Sequence, residues 1–590
     1  MTSGCGWHRG ISKPRLARII PNYPMSMMSV PFLRQFCLGL ILACSLGEVS
    51  AKEPAKIITA DVCIYGGTSG GVIAAVQAAR MGKQVIIVEP GQHLGGMTAG
   101  GLSAVDIGDP RTVGGITREY FTRLAGTVGR TLAWDKPFAT KGGPATGGAF
   151  AIEPHQAEQL FKDFAREAKV TSYFSKRLST LQKKGTRIVG FTTEDGTVFR
   201  AKMFIDATYE GDLMAKAGVS FTVMREGNAN YGEKWNGIYY AKKYSPRTTH
   251  QKPGANGRTP DGQGVWDRDL PLDPYVVAGD RNSGLLPLVQ AGEPGVPGAP
   301  APGVQAYCYR LCLTTNANRL PITPPPNYDA KNYELVARFI AGCVALGDDM
   351  DLRWFSKYDA LPNGKFDFNT ATFGANLPGA SWDWPEATYA EREKIAKEHE
   401  NYHRGLLHFL ATDSRVPLKV REEIKRFGLP RDEFTDNGGW PHQLYVREAR
   451  RMVSDLVMTE HHTTGKETAP KPISLGSYGT DTHEIRRIVK DGVVTREGKT
   501  AEGRGFGPYG IGYGAVVPRA EQCENLFVTF ALSASHTAFS SIRMEPVFMV
   551  TSQSAATAAC VAIDDNMSVQ QVNYPKLRAR LIADGQKGIE

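Results

Sequence analysis

The stretch from residue 57 to residue 90, IITADVCIYGGTSGGVIAAVQAARMGKQVIIVEP, decides the fold of this chain. Residues 57–65 alternate in the manner of a β-strand, residues 71–81 are rich in Ala and Val and predict a helix, and residues 84–88 predict a second strand. A glycine-rich turn joins the first strand to the helix. The three elements predict a βαβ unit, in which the two strands run parallel.

The turn between strand and helix has the spacing of the fingerprint with which a βαβ unit binds a dinucleotide. Gly66 and Gly71 take the outer positions, where the chain turns tightly and where the helix packs closely against the strand. Thr68 takes the middle position, and its hydroxyl can compensate for its bulk by donating to a phosphate oxygen. The helix N-terminus supplies N–H donors and the positive end of a dipole. Candidate contacts to the pyrophosphate are Gly66, Gly67, Thr68, Ser69, Gly70 and Gly71.

Glu89 ends the second strand, where a carboxylate accepts hydrogen bonds from ribose hydroxyls. A second glycine loop follows it and distinguishes FAD from NAD. In flavoproteins of this fold such a loop lets the backbone pass along the pyrophosphate and ribityl chain, whereas a simple NAD enzyme has no use for it. We expect FAD to be bound non-covalently, with a covalent link through His93 as the alternative. Candidate contacts in this loop are Pro90, His93, Leu94, Gly95, Gly96, Met97 and Thr98.

Two further segments agree with a dinucleotide site. Residues 204–212, FIDATYEGD, predict a buried strand that runs into a tight turn, with Ala207, Thr208 and Asp212 as candidate cofactor contacts. Near the C-terminus, Glu545 and Pro546 precede an Ala-rich stretch that predicts a helix over residues 546–562. Pro546 suits the first turn because proline lacks an N–H group that would need a partner. The N-terminus of this helix is suited to stabilise negative charge on a reduced flavin ring.

Taken together, these segments resemble the bacterial FAD-dependent oxidoreductases of the glutathione-reductase-like flavoprotein superfamily. The resemblance covers most of the chain after residue 51 and rests on the stretches YGGTSGGVIAA, VEPGQHLGGMTAGGLS, FIDATYEGDLMAKAG, LYVREARRMV with TEHH, and SASHTAFSSIRMEPVFMV. It implies an α/β fold, with a two-dinucleotide-binding (Rossmann-type) FAD domain and an inserted α+β substrate or cap domain. It also implies FAD and redox chemistry without an established substrate, and some of the similar proteins are loosely labelled putative xanthan lyases.

The predicted domains follow from the changes in amino-acid composition along the chain. Residues 57–225 and 441–590 are the two parts of the FAD-binding domain, and residues 226–440, rich in Pro, Gly, Asn and Trp, are the substrate or cap region. Further predicted elements are helices at 154–169, 333–346 and 391–410, a hairpin at 188–199 that turns at Asp195-Gly196, and a strand at 201–207.

Residues 1–51 predict a signal peptide and therefore export to the periplasm or cell surface. Arg34 precedes the short apolar run at residues 36–46, and Val49-Ser50-Ala51 places small residues where a signal peptidase cleaves. The run is too short for a stable membrane anchor, and we expect no transmembrane helix in the mature chain. Residues 41–44, ILAC, alternatively form a lipoprotein box, and a buried N-terminal helix is a third interpretation.

The net charge and the positions of the cysteines and histidines argue against three classes of ligand, namely nucleic acids, iron–sulfur clusters and metal ions. The net charge of +9 is dispersed and includes no basic run with interleaved aromatic residues, so we expect no nucleic-acid partner. The cysteines outside the leader lie in apolar contexts without a CxxC motif, which predicts free buried thiols and excludes a four-iron cluster. We expect no metal site, because His461 and His462 have no third or fourth ligand at a useful spacing.

The catalytic candidates are His536, Arg543 and His461. His536 lies just before the C-terminal helix and is suited to act as a general base or as a donor to the flavin edge. Arg543 either binds a substrate carboxylate or forms an ion pair with Glu545. Arg447, Glu448, Arg450 and Arg451 are predicted to lie on one helix that faces solvent or another domain.

The expected function is hydride transfer between a small-molecule substrate and flavin, with an unidentified electron acceptor. Two alternatives remain open at this point. One is an exported enzyme of the polysaccharide-lyase type, and the other is a non-catalytic flavin-binding surface protein.

Overall fold

The predicted βαβ unit lies within a mixed seven-stranded sheet in the computed structural model, which describes residues 56–135, 150–240, 270–499 and 507–589. The predicted signal segment, residues 1–51, lies outside the described residues. Strand β1 pairs in parallel with β2, and Tyr65 lies opposite Val88. The strands in chain order are β1 (Ile57–Tyr65), β2 (Val85–Val88), β3 (Thr171–Tyr173), β4 (Leu178–Lys184), β5 (Arg187–Thr193), β6 (Val198–Asp206), β7 (Phe221–Thr222), β8 (Leu311–Thr314), β9 (Tyr358–Ala360), β10 (Lys365–Phe368), β11 (Arg451–Met452), β12 (Pro472–Gly476), β13 (Arg486–Lys490), β14 (Val493–Glu497), β15 (Tyr509–Gly512) and β16 (Leu526–Val528).

The strand order of the main sheet is β3-β2-β1-β6-β5-β4, and β16 pairs with the last three residues of β6. Strands β3, β2, β1, β6 and β16 are parallel, whereas β4 and β5 are antiparallel to their neighbours. The hairpin between β5 and β6 turns around Gly196 as predicted. The strand predicted at 201–207 is not a separate element, because β6 pairs with β1 without interruption from Val198 to Asp206.

The helices include those predicted at residues 71–81, 154–169, 333–346, 391–410 and 546–562, with shifts of at most two residues at their ends. They are α1 (Ser69–Arg80), α2 (Gly96–Ala99), α3 (Gly115–Thr127), α4 (Pro154–Glu167), α5 (Asp212–Lys216), α6 (Asn228–Tyr231), α7 (Glu334–Ala345), α8 (Tyr389–Thr412), α9 (Leu418–Lys425), α10 (Glu460–Thr463), α11 (His536–Ile542), α12 (Glu545–Asp564) and α13 (Tyr574–Ala583).

Helix α12 packs along α1 in the centre of the molecule. The Gln77 amide donates to the Thr557 hydroxyl at 2.9 Å, and a Cβ at Gly70 would contact the Ser552 hydroxyl, so the small residues of both helices permit a close approach. Helix α12 is long and apolar enough to cross a membrane, but 94% of its apolar window is buried inside the protein. Helix α12 is therefore a helix of the protein core.

The region at residues 270–440 carries its own antiparallel sheet, in the order β8-β10-β9, together with α7, α8 and α9. Residues 55–590 form one compact unit. Ion pairs join the region to the main sheet: Arg392 of α8 binds Asp212, at the start of α5, through two hydrogen bonds of 2.6 and 2.9 Å.

The prediction for residues 447–451 was wrong. Residues 443–450 have no regular secondary structure, and Arg451 begins β11. The four charged side chains are buried rather than solvated, because each has an ionic or polar partner inside the fold. Arg451 binds Glu226 at 2.6 Å and Glu448 at 3.0 Å, and Arg450 binds Asp212 at 2.8 Å.

The prediction for the cysteines is confirmed in the described part of the chain. Their thiols are buried and free, and Cys308 and Cys312 do not form a disulfide. The residues concerned are Cys63, Cys308, Cys312, Cys523 and Cys560.

Candidate functional site

A groove of about 640 Å³ opens at the carboxyl ends of β1, β2 and β6, where parallel sheets bind their ligands. Its volume lies within the usual range for a small-molecule or cofactor site. The wall formed by the predicted segments consists of Gly66, Gly67, Thr68, Glu89, Pro90, Gly91, Gln92, His93, Leu94, Gly96, Thr208 and Asp212. The opposite wall includes Tyr309, Trp384, Tyr389, Arg392, Asp436, Asn437, His442, Gln443 and Leu444.

The glycine turn is determined by close backbone contacts. Gly66 has a φ of +104°, and a Cβ there would lie 2.8 Å from the carbonyl carbon of Ala207. A Cβ at Gly71 would overlap the carbonyl oxygen of Gly66, so this position also excludes a side chain. Ser69 and Gly70 are buried beneath the groove in the first turn of α1.

The Thr68 hydroxyl has a different role from the one expected. It accepts from the N–H of Gly71 at 3.2 Å and donates to the carbonyl of Ala207 at 2.8 Å. Thr68 is the N-cap residue of α1, so its side chain points back to the helix and to the neighbouring strand. The hydroxyl proton is thus engaged by Ala207 rather than offered to a phosphate.

Glu89 lies at the end of β2 and accepts from two backbone N–H groups of the groove. Its carboxylate oxygens lie 2.5 Å from the nitrogen of Gly67 and 2.6 Å from that of Gly91. Burial raises the pKa of Glu89 to about 7, although these two N–H donors oppose the shift. Thr208 also reaches the groove, and its hydroxyl donates to Asp206 at 2.7 Å.

The second glycine loop turns sharply into the short helix α2. Gly95 and Gly96 have φ values of +98° and +50°, and a Cβ at Gly95 would overlap the ring of Phe161. The N–H of Met97 donates to the hydroxyl of Tyr209 at 2.7 Å. Leu94 packs in the core with 2% of its surface exposed.

Glu545 connects three predicted segments beneath the groove. Its buried carboxylate accepts from the hydroxyls of Ser69 (2.5 Å), Thr98 (2.9 Å) and Tyr209 (2.8 Å). Burial raises its pKa, and the three donors oppose the shift. Glu545 begins α12, and Pro546 is the second residue of the helix, so the N-terminus of α12 is fixed against α1 and α2.

Asp212 is part of the groove lining, and its carboxylate forms two ion pairs. Arg392 and Arg450 both bind its carboxylate, which is almost fully enclosed. Burial would raise the pKa of Asp212, but the two guanidinium groups lower it below its ordinary value.

His536 lies outside the groove lining, at the first position of α11, and is fully buried. Its Nδ1 atom lies 2.8 and 2.9 Å from the two carboxylate oxygens of Glu448. Burial would raise the pKa of Glu448, but His536, Arg451 and Gln305 lower it to about 2, so the group is a carboxylate at neutral pH. A carboxylate at this position favours the tautomer that carries hydrogen on Nδ1. The Nε2 atom has no hydrogen-bond partner among the described residues.

Arg543 does not pair with Glu545 as the ion-pair interpretation required. Its guanidinium donates to the Asp481 carboxylate and to the Tyr445 hydroxyl, both at 2.9 Å. Burial would raise the pKa of Asp481, but the adjacent His483 ring and the guanidinium charge of Arg543 lower it. Arg543 thus takes part in a buried ionic network on the segment that joins α11 to α12.

His461 lies in α10, which packs against α11, and it is not part of the groove lining. Its Nε2 atom lies 3.0 Å from the carbonyl oxygen of Tyr231, which gives the ring a backbone partner. No hydrogen bond or ion pair joins His461 to His536 or Arg543 among the described residues.

The sequence did not reveal two features of this site. The far wall of the groove comes from residues 309–444, and nothing in their local pattern predicts that they face the glycine turn. Glu448 was assigned to a helix facing solvent or another domain rather than to His536, although the chain that follows Glu448 runs beside the segment before His536, where the Met452 N–H donates to the Ala531 carbonyl and Met458 pairs with Ala534. The available signal in the sequence was a cluster of charged residues between apolar ones, LYVREARRMV, which is typical of charges that are buried.

The solved structures that resemble this chain match only part of it, and no curated protein matches it. A flavoprotein/dehydrogenase from Cytophaga hutchinsonii is 16% identical over 28% of this chain and 43% of that chain, with a TM-score of 0.21. A geranylgeranyl bacteriochlorophyll reductase-like protein from Thermoplasma acidophilum is 19% identical over 28% and 43%, with a TM-score of 0.20. A 3-ketosteroid-delta4-(5alpha)-dehydrogenase from Rhodococcus jostii is 20% identical over 29% and 50%, with a TM-score of 0.18. The chain spans at most half the length of these three structures.

A family model gives the more extensive match. The model described as FAD dependent oxidoreductase matches residues 61–581, which include the glycine turn, the second glycine loop and the segment around His536. This match covers most of the chain and identifies both the class of enzyme and its cofactor. The chain belongs to the FAD dependent oxidoreductase family, and it is an oxidoreductase that uses FAD.

Proposed function

We propose that the enzyme transfers a hydride between a small-molecule substrate and flavin, with His536 as the general base. The observation that carries this proposal is the buried pair of His536 and Glu448. One ring nitrogen of His536 binds the carboxylate, and the other, Nε2, is buried without a partner among the described residues. A buried polar atom without a partner is costly unless a ligand supplies one.

The residues of the groove fit FAD. The N–H groups at the start of α1 offer donors to a pyrophosphate, and Glu89 offers a carboxylate to ribose hydroxyls. Gly67 and Gly96 line the groove without side chains. A Cβ at Gly96 would also lie only 2.5 Å from the Tyr209 hydroxyl, so the packing leaves no room for one. When bound, FAD supplies the acceptor or donor of two electrons.

The tautomer of His536 determines what its side chain does. With hydrogen on Nδ1 and Glu448 ionised, Nε2 carries the lone pair and accepts a proton from a substrate O–H or N–H group. Glu448 then stabilises the positive charge that forms on the ring, in the way that a buried carboxylate supports a catalytic histidine. Gln305 and Arg451 hold the carboxylate in place.

Arg543 is best assigned a positioning role. Its guanidinium already binds Asp481 and Tyr445, so it orders the segment between α11 and α12 rather than offering free donors to a substrate. We leave His461 as the second candidate base, because its ring has only a backbone carbonyl as partner.

We further propose a glutathione-reductase-like arrangement in which residues 57–225 and 441–590 hold FAD and residues 226–440 cover the substrate. The separate sheet β8-β10-β9 and the groove wall from residues 309–444 support this division. We also propose export with cleavage after Ala51, for which the sequence of residues 34–51 is the support. Mass spectrometry of the native N-terminus tests the cleavage site, and a lipidated Cys44 or an intact Met1 would contradict it.

An absorbance spectrum of the purified protein, followed by an anaerobic screen for compounds that bleach the flavin band, tests the function. We expect bound FAD and bleaching by at least one alcohol, amine or hydroxy acid, whose oxidation releases an O–H or N–H proton. With that donor, His536→Gln should slow flavin reduction by about 10²–10⁴-fold while FAD content stays unchanged. His408→Gln, remote from this pair, is the matched control. An unchanged rate in an FAD-loaded His536→Gln protein would remove His536 from the mechanism, and a flavin-free preparation active on an acidic polysaccharide would favour the lyase alternative.

A further inference from the structure

Two histidines and an aspartate meet where the second glycine loop approaches residues 436–442 at the rim of the groove. We propose that His93, Asp436 and His442 bind a transition-metal ion of the Zn²⁺ class. Nothing in the local sequence indicated this site, because His93 and Asp436 lie 343 positions apart in the chain. Imidazole nitrogens with one carboxylate are a ligand set that suits Zn²⁺.

The donor atoms already converge. The Nε2 atoms of His93 and His442 lie 3.3 and 3.4 Å from the two oxygens of the Asp436 carboxylate, and one ligand atom from each residue lies within 4.8 Å of the others. The two rings stack at a centroid distance of 3.4 Å with 13° between their planes. Both Nε2 atoms therefore point toward the same carboxylate. Both rings must turn out of this stacked arrangement to bring the three atoms to the distances of about 2.0–2.2 Å that zinc ligands adopt, because the lone pairs of parallel rings do not meet at one point.

Glu158 provides the second observation. Its carboxylate lies 3.1 Å from Nδ1 of His93, on the side of the ring opposite to the Nε2 atom that faces Asp436. A carboxylate behind a histidine is the usual support of a zinc ligand. Lys162 binds the same carboxylate at 2.7 Å and holds it in place. The ring of His442 packs edge-on against Phe434, which fixes its orientation as well.

A second cluster of possible metal ligands differs from this one, because a lysine already lies among its side chains. Glu153, His155, Asp432 and Glu433 also lie close together, but the ammonium of Lys365 occupies their centre and binds three of the four carboxylate or imidazole neighbours. A metal ion would have to displace that charge. Around His93 and His442 the groups that contact the ligand atoms are the carboxylates of Glu158 and Asp436, and no ammonium or guanidinium lies among the ion pairs of these two rings in the described residues.

An ion at this position would tie the loop after Glu89 to residues 436–442 across the mouth of the groove. The test uses the FAD-loaded enzyme, freed of metal with a chelator and titrated with ZnCl₂ against a fluorescent indicator. We expect one Zn²⁺ per chain and a Tm that rises with Zn²⁺ concentration. Asp436→Asn and His442→Gln should weaken binding by at least about 10-fold, and Glu158→Gln by about 10–100-fold. His155→Ala, in the lysine-filled cluster, should bind as the wild type does.

The Asp436 side chain is more than half exposed, so we expect the Asp436→Asn protein to fold. This variant therefore tests the proposal even if the His442→Gln protein fails to fold. Co²⁺ replaces Zn²⁺ in a parallel titration, and its visible absorption beyond the flavin band should report nitrogen and oxygen ligands in the wild type and change in Asp436→Asn. Absence of stoichiometric Zn²⁺ binding by the wild type would overturn the proposal, as would equal affinity in Asp436→Asn. Flavin content is recorded in each sample, so loss of metal binding is distinguished from loss of FAD.

Discussion

Glu89 binds two backbone N–H groups at the edge of the groove, and its burial has a consequence for stability. Its pKa lies at about 7 in the folded chain, against an ordinary value of about 4.5. Between these values the folded state holds the proton more tightly than the unfolded state does. The contribution of Glu89 to stability is therefore fully present below about pH 4.5 and is lost as the pH rises toward 7.

We predict that Glu89→Gln flattens this part of the pH profile. In protein freed of flavin, the free energy of unfolding of the wild type should fall between pH 4.5 and 7 by on the order of 2 kcal/mol more than that of Glu89→Gln. Urea unfolding at a series of pH values measures the difference. Glu521→Gln, at an exposed position, is the control, and parallel profiles for wild type and Glu89→Gln would contradict the raised pKa.

Single residues also show where the sequence was insufficient. The position of Gly71 was predictable, because its requirement for a bare backbone is set by Gly66 within the same turn, and Gly66 was predictable from the tight turn itself, which gives it a φ of +104°. The partner of the Thr68 hydroxyl was not, because Ala207 lies 139 residues away in another strand. The roles of Arg451 and Glu448 were missed for the same reason, since a charged segment is buried only where distant segments supply opposite charges.

Among the elements, the junction of β1 and α1 is the most sensitive to substitution. We predict that Gly71→Ala destabilises the chain and lowers FAD retention, because the added Cβ would overlap the carbonyl oxygen of Gly66, a backbone atom that cannot move aside. Gly126→Ala is the matched control, as this exposed glycine lies in α3 with open space around its Cα. There the change should be neutral or stabilise by about 0.5–1 kcal/mol.

Thermal unfolding and the flavin absorbance of the purified variants check both expectations. A Gly71→Ala protein that retained FAD and melted with the wild type would show that the turn relaxes, and the fingerprint would lose its steric explanation.

Elements whose signal is local were predicted well. The βαβ unit, α4, α7, α8 and α12 follow from periodicity and from the residues at their ends, such as the Thr388 and Glu391 capping box of α8. The strand at 201–207 was separated from its neighbour because Arg200 and Lys202 interrupt the apolar pattern. In the structure those two side chains lie at exposed positions within β6, and the strand pairs with β1 on both sides of them.

For the whole molecule, the sequence indicated an FAD domain interrupted by a different region but not how the two meet. The contact depends on side chains such as Arg392 and Arg451, each of which reaches a carboxylate far away in the chain. Buried ion pairs of this type contribute little net stability compared with apolar packing, but they are strongly destabilising when one partner is removed. They specify one way of joining the two parts.

Asp212 is the strongest test of that connection, because it binds Arg392 of α8 and Arg450 at once. We predict that Asp212→Asn costs about 3–5 kcal/mol, since it removes the carboxylate that both enclosed guanidinium groups bind. Glu119→Gln removes the exposed ion pair with Arg80 and should cost at most about 1 kcal/mol. Urea unfolding and limited proteolysis measure the outcome: in Asp212→Asn, cleavage within residues 270–440 should precede loss of the flavin signal, because α8 loses its attachment to the sheet. If Asp212→Asn were as stable as Glu119→Gln, or lost flavin before this region was cleaved, the ion pairs would not be what joins the two parts.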